Sequence, residues 1–134
     1  WLNLNSFVAR LFGSGAIVWG DFPIWQLRQG LENDLAEVKG DCSPAEAVDN
    51  GVAVASSWLT HPGLALLELS RRSLAQVCSR GSSLPGHLGF SLERWGFWKR
   101  RLGELRSTVS MGVAPSVEQA IEIMRWSVVA LAEN

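Results

Sequence analysis

The stretch FSLERWGFWKRRLGEL, residues 90–105, sets two tryptophans and a phenylalanine beside a Lys-Arg-Arg run. Taken in linear order it suggests an aromatic and basic surface for nucleic acid or lipid. Wound into a helix it reads differently. Leu92, Trp95, Trp98, Leu102 and Leu105 recur at steps of three and four, so all five share one face. Ser91 can cap the first turn, and Phe90 before it can pack on Trp95 as a hydrophobic staple. Arg94 and Arg101 border one side of the stripe and Lys99 and Arg106 the other, where aliphatic stems can cover the indoles while the charges stay in water. Arg100 lies outward with Glu93 and Glu104. The stretch therefore predicts an amphipathic helix with a mixed-charge outer face. Phe97 alone points off the apolar stripe, and with Arg94, Arg100 and Arg101 it forms a candidate partner surface.

The same period recurs outward from this helix. Toward the N-terminus, SPAE at residues 43–46 predicts a helix start: Ser43 caps, Pro44 suits the first helical position and Glu46 completes a capping box. The helix that follows divides into a polar stripe (Glu46, Asp49, Asn50, Ser56, Ser57, Thr60) and an apolar side (Ala47, Val48, Val52, Ala55, Trp58, Leu59), and Pro62 should end it near His61. Leu64 to Ser79 separates again into two faces, with Glu68 and Arg72 in the favourable i, i+4 order. Earlier still, Leu4, Phe7, Val8, Leu11 and Phe12 form an apolar stripe that Gly13 and Gly15 should end, and Asn3 or Asn5 could cap its start. A short helix from Asp21 with Pro23 in its first turn carries Ile24, Leu27 and Leu31, and charges then suggest a loop to Gly40. Residues 80–89 read as loop. A last helix should open near Ser116, with Gln119 three residues on, and bury Val117, Ala120, Ile121, Met124, Val128 and Leu131. The fold expected is an all-α irregular bundle of five to six helices in one domain, with most of the seven tryptophans in the core at ~150–250 Å² of burial each.

Composition narrows the function classes. A net charge of −1 and a sequence pI near 6.1 disfavour a general nucleic-acid binder. The uncharged run from Asn50 to Leu67 has the length of a membrane span, but Pro62, Gly63 and its polar stripe argue against one. Cys42 and Cys78 are too few for a disulfide framework, which suggests a reducing, intracellular setting, with a single bridge between them as the alternative.

No catalytic, cofactor-binding or metal-ligating constellation is legible. His61 and His87, the only histidines, have no histidine or cysteine at ligand spacing. His61 reads as a helix-end residue, Asn33, Asp34 and Glu37 as a charged loop, and Glu118 and Glu122 as partners of a helix dipole. A polar pocket built from Asn3, Asn5 and His61 is the strongest small-molecule candidate, and it sets the rival to the leading expectation. That leading expectation is a non-enzymatic helical scaffold or protein-interaction module with an unidentified protein partner. The rival is a small-molecule-binding or modifying enzyme.

Three segments, WLNLNSFVARL at residues 1–11, IWQLRQGLE at residues 24–32 and GFSLERWGFWKRRLGEL at residues 89–105, are similar in order and spacing to a family of uncharacterised fungal helical proteins. The resemblance runs from Trp1 to about Met124. It implies an all-α fold and further helical sequence ahead of Trp1, so that this chain would be a C-terminal portion. It implies no activity and no functional residue.

Overall fold

The computed structural model describes residues 1–16, 21–32, 43–80 and 91–133; the side chains of residues 21 and 73–80 are outside that description. Among the described residues the chain is helical throughout its regular structure: α1 (Leu2–Gly13), α2 (Asp21–Leu27) running directly into a π-helical segment (Arg28–Glu32), α3 (Pro44–Thr60), α4 (Gly63–Arg80), α5 (Leu92–Leu105) and α6 (Ala114–Ala132). The all-α expectation holds. The central element is α3, which packs against α1, α2, the π-helical segment, α4 and α6.

The local start and stop signals act as their chemistry dictates. Ser43 Oγ accepts from Glu46 N at 3.3 Å while Ser43 N donates to Glu46 Oε2 at 3.1 Å, closing the capping box at the head of α3. Ser91 Oγ accepts from Arg94 N at 3.1 Å and caps α5. Helix α1 ends in a Schellman motif: Gly15, at φ +79°, donates to Phe12 O, and Ala16 donates to Leu11 O, both at 3.1 Å. Helix α3 stops at Thr60, ahead of Pro62 as expected, although His61 itself keeps α-region backbone angles. Glu68 and Arg72 pair at 2.8 Å on the outside of α4. Phe90 and the 33–40 and 80–89 loop regions expected from sequence fall outside the described residues, apart from Arg80, which ends α4.

Several expectations are corrected. Asn3 and Asn5 do not cap α1; both lie within the helix, whose N-cap is Trp1. The buried face of α1 is Asn5, Ala9 and Phe12, so Leu4 and Phe7 face outward, with Val8 and Leu11 half-buried. Helix α3 is not two-sided in its second half, because residues 52–56, Trp58 and Leu59 are all buried, Ser56 included. Helix α6 begins at Ala114 behind Val113, without a side-chain cap, and Val128 is 47% exposed. On α5, Trp95, Trp98, Leu102 and Leu105 are buried as the periodicity predicts, but Leu92 in the first turn is not. Of the six described tryptophans, Trp58, Trp95 and Trp98 are core, whereas Trp1, Trp25 and Trp126 are exposed.

The core is continuous from Phe12 and Trp58 through Leu31, Trp98 and Leu102 to Met124. Trp58 receives two aromatic edges, from Phe12 of α1 (centroids 6.1 Å apart) and Phe22 of α2 (5.8 Å). The π-helical segment lies directly on α3 at Gly30. A Cβ there would strike the Gly51 carbonyl oxygen and come within 2.9 Å of the Ala55 Cβ. Glycine is required at this crossing by contact with backbone. By contrast Gly96, exposed in mid-α5, has nothing within 4 Å of an added Cβ. Alanine substitutions should therefore act in opposite directions. Gly30→Ala should destabilise by about 1–3 kcal/mol through overpacking. Gly96→Ala should stabilise by roughly 0.5–1 kcal/mol through helix propensity. Urea unfolding of both variants reads this out, and a Gly30→Ala protein as stable as the wild type would contradict the crossing.

Candidate functional site

Of the three buried indole N–H groups among the described residues, two find an acceptor far along the chain. Trp58 Nε1 donates to Asn5 Oδ1 at 2.9 Å, across 53 residues of sequence and in full burial. Asn5 Nδ2 in turn donates to Trp1 O at 3.2 Å. Trp98 Nε1 donates to Glu32 Oε1 at 2.9 Å. The same carboxylate meets the Arg94 Nε at 2.8 Å and the Arg28 Nε at 3.4 Å, so Glu32 joins α5 to the end of the π-helical segment. Arg94 and Trp98 stand one helical turn apart on α5 and converge on one oxygen. Glu32 and Arg94 are both mostly buried, at 19% and 14% side-chain exposure, which makes this a desolvated pair rather than a surface one.

This geometry redistributes the residues singled out from sequence. Arg94 borders the tryptophan stripe as expected, but its charge is turned inward to Glu32 rather than left in water. Arg101 pairs with Glu104 at 3.1 Å and Arg106 with Glu118 at 3.1 Å. Arg100 is exposed, and Phe97 on the same outer side of α5 is 40% exposed. Asn5 is committed to the core, Asn3 is exposed on α1, and Glu46 is held in the capping box. Of the three residues of the expected polar pocket, Asn5 is thus placed in the core and Asn3 on the exposed side of α1.

His61 instead borders a different concavity. A groove of about 150 Å³ runs between α1, α3 and α6, lined by Leu2 and Ser6, by Ala53, Ser57, Thr60 and His61, and by Ser116 and Gln119. Ser6 Oγ and Ser57 Oγ are hydrogen-bonded across it at 2.8 Å. Desolvation of the His61 ring, followed by the positive charge of Arg10, lowers its pKa below the ordinary 6.5. Sequence reasoning missed this groove because Ser57 and Thr60 belong to the stripe of α3 read as solvated. The available signal was that a run of small hydroxyl side chains leads directly to a histidine.

Among the described residues no group of three or more His, Cys, Asp or Glu side chains is placed to hold a metal ion. Asn33, Asp34, Glu37 and His87 lie outside them, as do Cys42 and the side chain of Cys78. Among the described residues no helix is long and apolar enough to cross a membrane.

A family model described as a protein of unknown function, DUF3632, matches residues 1–102 of the 134. The chain belongs to the DUF3632 family. The matched stretch holds both partners of each indole bond, Asn5 with Trp58 and Glu32 with Trp98, together with Arg94. It ends within α5 and leaves α6 outside the DUF3632 match. No curated protein and no solved structure matches the chain.

The lowered pKa of His61 has a definite sign in stability. A ring that binds its proton less readily when folded than when unfolded gives stability that is complete above pH 6.5 and declines as pH falls through that value. An NMR titration should place the His61 midpoint below 6.5, and His61→Gln should remove this part of the acid destabilisation. A midpoint at or above 6.5 would contradict the partial desolvation of this exposed ring and its placement near Arg10.

Proposed function

We propose that this DUF3632 chain is a non-enzymatic helical interaction module that engages a protein partner through the outer face of α1. The observation that carries the reading is an outward apolar row on that helix. Trp1, Leu4 and Phe7 follow one another at steps of three and are 71%, 54% and 59% exposed. Single exposed apolar residues are ordinary, but a row of large ones on one helix is the pattern of a contact surface, and aromatic side chains supply the usual anchors.

The other face of α1 is fixed: Asn5 bonds Trp58, Phe12 lies edge-on to the same indole, and Gly13 lies against the His61–Pro62 backbone, where an added Cβ would come within 3.1 Å of the His61 carbonyl oxygen. The row is therefore presented on a held helix, which limits the ordering cost of binding. Phe97 and Arg100 on α5 offer a second, smaller contact. A nucleic-acid partner is disfavoured because Arg94, Arg101 and Arg106 each face a carboxylate. With only two cysteines, we assign the module to a reducing cellular interior.

The test is the double substitution Leu4→Ser/Phe7→Ser, which removes apolar surface but touches neither Asn5 nor Phe12. Sedimentation and cross-linked co-purification should show a specific association of the wild type that the variant loses, with helical content and unfolding midpoint retained. A wild type that is monomeric and partnerless, or a variant that associates equally well, would refute the assignment.

A further inference from the structure

The α1/α3/α6 groove has a chemistry that the interaction surface does not use. We propose that it is a binding site for a small oxyanion, with the shared chemistry of a phosphate group or a short-chain carboxylate, held by the hydroxyls of Ser6, Ser57, Thr60 and Ser116, the Gln119 amide and the His61 ring.

The lining contributes hydrogen-bond donors from three helices and no carboxylate. Ser6 and Ser57 are partnered with each other at 2.8 Å, and whichever hydroxyl accepts in that bond keeps its own hydrogen to donate into the groove. The neutral imidazole adds one N–H, and two when protonated. Arg10, exposed on α1, is near enough to His61 for its charge to act on the ring, so the electrostatic bias at that end is positive. An anion placed there relieves the repulsion between the guanidinium and a protonated imidazole, which a neutral ligand cannot do.

Size is compatible with the same class: the groove, about 150 Å³ and open on one side, has room for the five heavy atoms of a phosphate group. Leu2 and Ala53 supply an apolar wall against which the short chain of a carboxylate would lie. The groove walls are held without a ligand. Helix α1 is fixed to α3 by the Asn5–Trp58 bond, and α6 crosses the start of α4 at Gly63, where an added Cβ would come within 2.8 Å of Ile123.

The experiment titrates the full chain with sodium phosphate and, separately, with sodium butyrate at about pH 6, where a histidine can take up a proton, against sodium chloride at matched ionic strength. NMR signals of the His61 ring and the Ser57, Ser116 and Gln119 amides report occupancy. At least one of the two oxyanions should give saturable shifts that chloride does not, and which one does distinguishes a phosphoryl from a carboxylate ligand. Ser57→Ala and Ser116→Ala should each weaken that affinity about tenfold, the loss expected for one charge-assisted hydrogen bond. Ser116 is exposed, so its variant should fold, and Ser107→Ala, elsewhere on the surface, should bind as the wild type does. Shifts that fail to saturate, that chloride reproduces, or that survive both groove substitutions would overturn the proposal. The Leu4→Ser/Phe7→Ser variant should bind the anion normally, which separates this site from the contact surface.

Discussion

An indole N–H withdrawn from water must find an acceptor or cost about 1–3 kcal/mol, and two of the links between helices in this chain meet that demand. They do so with side chains supplied from far along the sequence. Asn5 reaches Trp58 and fixes α1 on α3; Glu32 reaches Trp98 and fixes the π-helical segment on α5. Both contacts lie among the residues that match DUF3632. Trp95 is the exception: its N–H is buried without an acceptor among the described residues, in a ring that packs in the core.

These two links demand unusual local structure. For Glu32 to face α5 while Leu31 and Gly30 remain on α3, the chain leaves α-helical winding after Leu27 and takes a π turn, in which successive side chains rotate less per residue. Gly30 then allows the widened segment to touch the α3 backbone at Gly51. At the other end, the polar Asn5 shares the buried face of α1 with Ala9 and Phe12 and bonds Trp58. Burying Asn5 turns Leu4 and Phe7 outward. The exposed row on α1 is thus a consequence of hydrogen bonding in the core rather than an independent feature.

The legibility of the sequence follows the range of the interactions. Short-range chemistry was readable: the Ser43/Glu46 box, the Ser91 cap, the Gly15 stop, the Pro62 break and the 95/98/102/105 stripe all depend on neighbours within a turn or two. Readings failed where a distant partner decided the outcome. Asn5 has the composition of a cap but serves Trp58, and Arg94 has the spacing of a snorkelling residue but serves Glu32. Hydrophobic periodicity assigned Leu4 and Phe7 to the core because it cannot weigh one buried amide against two apolar side chains. The groove was hidden for the same reason, since Ser6 and Ser116 approach Ser57 and His61 only once α1 and α6 have packed on α3.

The bond between Glu32 and Trp98 is a source of stability in its own right, beyond the packing of the ring and the pairing of Arg94. A double-mutant cycle of Glu32→Ala and Trp98→Phe, measured by urea unfolding, isolates it, because Trp98→Phe removes the donor while leaving the Arg94 pair in place. We expect a coupling of about 1–3 kcal/mol between the two positions. Additivity to within roughly 0.5 kcal/mol would contradict the central claim.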